Sequence, residues 1–473
     1  MAKKQKGRLA ETFSIVYSDR LPKDAARISL RVGALRDEIS VRDGIKHIVL
    51  AVPEEKKGNV RALRILARKA VSRARKEGIR TIAITLSEWV GKGMTPVSAA
   101  RLIAENMTMA NYEFIDLKTP PKEGWVFIDT LIVMGDVVPD AKKEFAKGLT
   151  IGKWTNRTRT LANTPGGLMT PTVLATKARA YAKEVGVPIT VYGKRDLEKM
   201  GAGAILGVAQ GSVEEPKLIV AEYKKGKKGE KPIVLVGKGV TFDTGGINLK
   251  PSEHALGMNM DMSGGAATLC ALFCAAELKV KRNIVAIVPA VENMPSGSSY
   301  RPGDVLTGIS GKTIEILNTD AEGRVILSDA LTYAKKFDPS LVVDVATLTG
   351  AACVALGGHA SAIFTPDDAI ARKAEVLGEE SGDYVWRLPL WEEYEDEIKG
   401  TFGDVANTNN KHSRYGGAIH AAVFLWQFVK DAGYPWLHID IAPRTESAEG
   451  EFLAKGAAGA PVRMLMRLIE DNT

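Results

Sequence analysis

Short, almost wholly apolar runs alternate with amphipathic stretches along most of the chain. In the N-terminal third the runs are HIVLAV (47–52), TIAITL (81–86) and VFIDTLIVM (126–134). Their length and their content of Val, Ile and Thr predict strands. Between them, RALRILARKAVSRARKEGIR (61–80) places Leu63, Leu66, Ala67, Ala70, Val71 and Ala74 at helical spacing, and a second helical pattern lies near 96–110. Alternation of this kind predicts a small α/β domain over residues 1–138. Pro139-Asp140 then opens a helical stretch that stops at Pro165-Gly166-Gly167, so 139–165 reads as a linking helix.

The rest, residues 166–473, carries a second and larger set of runs: ITVYG (189–193), KLIVAEY (217–223), PIVLVG (232–237), NIVAIVPAV (283–291) and LVVDVATL (341–348). Strands this uniformly apolar suit the middle of a sheet covered on both faces, with helical stretches such as SGGAATLCALFCAAEL between them. The expected fold class is α/β, a smaller N-terminal α/β domain followed by a larger C-terminal α/β/α domain.

An apolar fraction of 45% and a charged fraction of 25% are ordinary for a globular protein. No stretch approaches the roughly 18 apolar residues of a membrane span, so no membrane association is expected. The start, MAKKQKGRLAETF, is basic without an apolar core, and no signal peptide is expected. Three cysteines without a CxxC pair imply neither a disulfide framework nor a zinc knuckle, and a reducing, cytoplasmic setting follows. Cys270 and Cys274 read as small buried residues on one helix face. The net charge of +8 is concentrated in the first third, largely on the outer face of the 61–80 helix. That face reads as solvated, and as a nucleic-acid surface only in second place, because no aromatic-interleaved binding motif accompanies it. The basic stretch KKGKKGEK (224–231) reads as a solvated loop.

A smaller set of charged residues fits no surface reading. After PIVLVG come Lys238, then Asp243 in GVTFDTGG, Lys250 in INLKP and Asp261 in GMNMDMSGGAA. Further on, NTDAEGR (318–324) puts Asp320, Glu322 and Arg324 at alternate positions between the apolar run TIEIL and a helix over VILSDALTYA. Strand ends in a doubly wound sheet are where ligands bind, and the glycines around them permit tight turns. Four carboxylates converging in a low-dielectric cleft repel strongly unless cations join them. Two divalent ions, roughly 3.5–4 Å apart and sharing carboxylates, would balance four negative charges. A lysine can join such a set because metal binding selects the deprotonated amine. His254 reads as a loop residue. GISGKT (308–313) is not a P-loop, since Leu306 stands where the first glycine is needed, and no GxSxG is present.

VGKGVTFDTGGINLKP, GMNMDMSGGAA, NTDAEGR and VVDVATLTGA closely resemble the leucine aminopeptidase (cytosol aminopeptidase) family, and the resemblance runs from NTPGGLMTP to AAGAPVRMLMRLIE. It implies a catalytic C-terminal domain around a central mixed sheet, and an enzyme that releases N-terminal amino acids, of the leucine type and others, from peptides. It implies that Asp243 and Glu322 touch both of two metals, that Lys238 and Asp261 complete the tighter site, and that Asp320 completes the exchangeable one. Lys250 would stabilise the oxyanion and Arg324 would hold a bicarbonate acting as general base. Met258, Thr347, Leu348 and Gly350 would line the pocket for the first side chain. Zinc or manganese, with magnesium or cobalt as alternatives, and a homohexamer are further implications. Pro443 stands where the family has glycine, which bears on side-chain preference, and Gly265 replaces an alanine. A nucleic-acid-binding protein, a binding module with inert metal sites, and a dipeptidase favouring Cys-Gly are the competing readings.

Overall fold

A computed structural model describes residues 11–471 except His412 and Arg414; the start of the chain, on which the signal-peptide expectation rests, therefore lies largely outside the described residues. The chain divides into two compact units, Met1–Asn156 with Glu449–Lys455, and Arg157–Ala448 with Gly456–Thr473. The helix Pro139–Asn163 begins in the first and ends in the second. No helix among the described residues is long and apolar enough to cross a membrane.

The first unit is built on six strands in the order Ser14–Tyr17, Thr130–Met134, Thr81–Thr85, Ala25–Val32, Ile45–Val52, Glu38–Arg42. All pair in parallel except the last, which is antiparallel to its neighbour. Ile28, Ile48, Leu50, Ile82, Ile84, Leu131 and Val133 form its core with the helices Val60–Lys76 and Pro96–Ala110. Each such side chain, fully buried, contributes about 1.5–3 kcal/mol. The six apolar positions foreseen on the 61–80 helix are all buried.

Its cationic face is solvated only in part: Arg61 and Lys76 are exposed, but other basic side chains turn inward. Arg64 and Arg68 are each only 3% exposed. Arg68 donates to Asn106 (2.8 Å) and pairs with Glu451 (3.7 Å). Lys69 and Arg73 both reach Asp37, at 2.7 and 3.2 Å. Arg75 donates to the carbonyls of Val126 and Ala110, pairs with Glu113, and lies over the Phe127 ring. The long arginine stems fold back over the unit and spend their charge inside it.

The second unit holds a mixed sheet. Its order is Val385–Arg387, Ser361–Phe364, Trp436–Asp440, Leu341–Ala346, Ile233–Gly237, Asn283–Asn293, Lys217–Lys224, Ile189–Tyr192. Leu341–Ala346, Ile233–Gly237 and Asn283–Asn293 run parallel at its centre, Lys217–Lys224 is antiparallel to Asn283–Asn293, and Ile189–Tyr192 is antiparallel to Lys217–Lys224. Val234, Val236, Val285, Ile287 and Val342 pack on one face with the helices Gly203–Ala209, Glu322–Ala334 and Gly417–Val429. Successive strand side chains alternate between faces, and the helix Ser263–Glu277 packs on the sheet through residues outside that cluster. Cys270 and Cys274 are buried in it, as expected. A small separate sheet joins Val305–Thr307, Thr313–Glu315 and Val405–Ala406.

Candidate metal centre and active site

The strand Ile233–Gly237 pairs with Leu341–Ala346 on one side and Asn283–Asn293 on the other. At Lys238 the chain parts from the first partner and continues along the second as Gly239–Asp243. The backbone is pinned there on both sides: Lys238 N–H donates to the Val345 carbonyl (3.0 Å), and its own carbonyl accepts from Gly265 N–H (2.7 Å). Gly239 and Val240 keep the register of the preceding strand, but a bulge shifts Phe242 and Asp243 by one residue.

The Lys238 side chain runs beneath the start of the helix Glu322–Ala334. Its Nζ lies 2.8 Å from Asp261 and 2.8 Å from Glu322, and donates to the Thr347 carbonyl at 2.9 Å. Lys250 bridges the other two acids, Asp243 at 2.8 Å and Asp320 at 2.5 Å. Asp243, Asp320 and Glu322 each offer an oxygen within 4.8 Å of the others. The five predicted ligands and Lys250 are thus one cluster.

Two details differ from expectation. The helix begins at Glu322, not after Arg324, so NTDAEGR meets a helix N-terminus whose dipole favours acids, and the preceding strand Thr313–Glu315 belongs to the small sheet. Dications are also not the sole counter-charge available to the acids, since each lysine neutralises part of a carboxylate pair. Four acids against two lysines still leave the cluster short of positive charge. Burial, with the charge of Asp243 adding to it, pushes Glu322 up to about 8. Burial likewise pushes Asp261 up to about 6 against the pull of Lys238. Burial opposes the charge on Lys238, but Asp261, Glu322 and Asp243 outweigh it and hold its pKa above the usual lysine value. Asp261 Oδ2 is buried without a hydrogen-bond partner. An unpartnered carboxylate oxygen and protonation-prone acids are what a divalent-cation site shows when its chemistry is unsatisfied.

The helix start must be glycine at 323. A Cβ there would stand 2.5 Å from Lys238 Cε and 2.7 Å from its Nζ. Gly323→Ala therefore displaces the lysine and is expected to lower metal affinity by about 10–100-fold, the range for disturbed support of a metal ligand; metal titration of the purified variant measures it. Gly264 is equally constrained, its Cβ falling 2.1 Å from the Val345 carbonyl oxygen.

Arg324 is buried and donates to the Asn407 carbonyl (2.9 Å), while its Nε has no partner among the described residues. Burial lowers its pKa to about 10, against the support of Glu322, Asp440 and Asp320, so it is charged at neutral pH. Thr347 Oγ1 donates to the Asp261 carboxylate (2.7 Å), which sets the turn 347–349 beside the one-turn helix Met258–Met262. Met258 opens that turn, Leu348 is half-buried, and Gly350 is exposed at the start of the helix Gly350–Leu356. His254 is exposed in a short helix, apart from the ion pairs of the cluster.

Three supporting residues escaped the sequence. Asn293 donates to Asp243 and to the Thr319 carbonyl. Asn407 accepts from the N–H groups of Leu317 and Asn318 and donates to the Asn318 carbonyl, clamping NTDAEGR. Tyr300 O–H donates to the Thr319 carbonyl. A polar Asn closing the apolar run 283–291 was the one available signal.

Comparison with known proteins agrees with this geometry. The cytosol aminopeptidase family, catalytic domain, matches residues 156–466, and the family's N-terminal domain matches 47–121. A probable cytosol aminopeptidase of Roseiflexus castenholzii is 44% identical over 416 residues, 87% of this chain and 84% of its own length. One from Syntrophotalea carbinolica is 44% identical over 422 residues, 88% and 82% of the two chains. Among solved structures, the bottromycin maturation enzyme BotP in complex with Mn superposes with a TM-score of 0.86 at 32% identity, covering 95% of this chain and 99% of that one. A mutant of tomato leucine aminopeptidase gives 0.86 at 28% identity over 98% and 97%. Matched in both domains and over most of its length, the chain belongs to the cytosol aminopeptidase family.

Proposed function

We propose that Asp243 and Glu322 each contact two divalent ions, that Lys238 and Asp261 complete the tighter site, and that Asp320 completes the exchangeable one. The chain is a metal-dependent aminopeptidase that releases N-terminal amino acids, of the leucine type and others, from peptides. The observation that carries the residue roles is the single cluster in which two lysines bridge four acids, three of them buried, short of positive charge and with one carboxylate oxygen unpartnered.

When bound, the ions anchor a free α-amine, polarise the scissile carbonyl and bring water to a pKa of about 7. Lys238 serves as a ligand only as the neutral amine, so it gives up the proton that its carboxylate neighbours now favour. Lys250 keeps its proton, and its ammonium faces the oxyanion as charge develops. Arg324, charged and with an idle buried Nε–H, holds bicarbonate as the proton acceptor. Met258, Thr347, Leu348 and Gly350 form the pocket for the first side chain. Zinc or manganese as the resident ion, a homohexameric assembly and a cytoplasmic location complete the reading. Nucleic acid is not a partner in it, because Arg68, Lys69, Arg73 and Arg75 of the 60–76 helix are engaged within their own unit.

A substrate panel tests the reading. Leucyl p-nitroanilide is hydrolysed and its N-acetyl derivative is not, because the blocked amine cannot be anchored. Equal rates on the two would overturn it, and a rate confined to Cys-Gly would favour the dipeptidase alternative.

A further inference from the structure

The strand Trp436–Asp440 ends in a carboxylate that supports the charge of Arg324 but whose hydrogen bonds none of the roles above uses. Asp440 is 0% exposed. Its Oδ1 accepts from the N–H groups of Leu348 (3.0 Å), Thr349 (3.4 Å) and Ala442 (3.1 Å), and its Oδ2 accepts from Thr349 Oγ1 (2.7 Å). A single buried acid thus gathers two separate turns. One is 347–349, whose Thr347 is already tied to Asp261 and Lys238. The other is the one-turn helix Ala442–Arg444, which contains Pro443. Ile441 N–H donates to the Ala346 carbonyl at 2.8 Å and locks the two strand ends at the same level. The ligand side of the 347–349 turn is fixed by Thr347, and its far side by Asp440.

We propose that Asp440 is a positioning residue that fixes Leu348 against the 442–444 turn and thereby sets which first side chain the enzyme prefers. This rests on the reading that Leu348 lines the pocket. Charge-assisted hydrogen bonds from backbone N–H groups hold a turn more firmly than neutral ones, and a difference of one methylene in a well-defined apolar pocket is discriminated about 10–200-fold. A turn released from Asp440 forfeits that discrimination while the metal ligands stay in place.

The experiment measures kcat and KM for alanyl, leucyl and phenylalanyl p-nitroanilides, together with metal content, on Asp440→Asn, Thr349→Val, Thr349→Ser and Leu348→Ala. Asp440→Asn and Thr349→Val are expected to lower the leucyl-to-alanyl ratio of kcat/KM about ten-fold, chiefly through KM, at unchanged metal content. Thr349→Ser, which keeps the hydroxyl donor, retains the wild-type ratio. If Asp440→Asn and Thr349→Val keep that ratio while Leu348→Ala changes it, the clamp is overturned and the pocket stands. If Leu348→Ala leaves the ratio unchanged, the pocket reading itself fails. Metal loss in Asp440→Asn would also overturn the proposal by moving the effect to the ligands. Should Asp440→Asn not fold, Thr349→Val against Thr349→Ser decides alone.

Discussion

Chelator-treated protein hydrolyses no leucyl p-nitroanilide, and Mn²⁺ or Zn²⁺ returns the activity. The expected loss is nearly complete because no side chain of the cluster replaces what the ions do. No histidine stands among the ion pairs that bind the cluster together, and Asp261, Asp320 and Glu322 are all pushed toward protonation by burial and neighbouring charge. Water without a metal has a pKa of 15.7, against about 7 with one. The same treatment leaves the protein folded, because Lys238 and Lys250 still pair with the acids. Rebinding then raises the thermal midpoint, by an amount corresponding to about 2.7 kcal/mol at a hundred-fold excess of metal over its Kd. Calorimetry with and without chelator, run beside the activity assay, reads both. Turnover that survives complete removal of metal would refute the assignment.

Lys250→Met retains its metal and loses about 10²–10³ in kcat, the usual cost of removing one preorganised oxyanion donor. The substitution keeps an unbranched apolar stem and removes the ammonium, with its charge and its hydrogen-bond donors. Burial opposes that charge, yet Asp243, Glu322 and Asp320 hold the Lys250 pKa above the usual lysine value in the metal-free cluster. Since Lys250 now sits on Asp243 and Asp320, its removal also deletes a competitor for two of the ligands. Metal binding in the variant is therefore expected to tighten even as catalysis fails. Isothermal titration and steady-state kinetics on one preparation separate the two effects. Normal kcat in this variant would leave Lys250 without a chemical role.

The cluster was legible because the chemistry is stated by its exceptions: acids and lysines set among glycines and apolar runs, where a merely solvated residue has no place. The second unit's central strands were legible for the same reason of contrast. Less could be read in the first unit. Ala25–Val32 carries two arginines in eight positions and Glu38–Arg42 is a largely exposed edge, so neither shows an apolar run. The outward reading of the basic helix held only for such residues as Arg61 and Lys76, because periodicity gives the face of a Cβ, not the destination of a long stem. Arg75 ends on carbonyls contributed by residues 110 and 126. Asp440 and Asn407 were invisible for a related reason, as their partners lie tens of residues away.

Lys238 and Asp243 are separated by an odd number of positions, which in an unbroken strand would send them to opposite sides of the sheet. The bulge between Val240 and Phe242 corrects the phase and delivers both to the same cleft. The irregularity is thus a spacer on which two ligands depend without its touching either. A strand straightened through Thr241 with no residue lost would keep every acid and lysine of the centre in its composition, yet turn Lys238 and Asp243 to opposite faces.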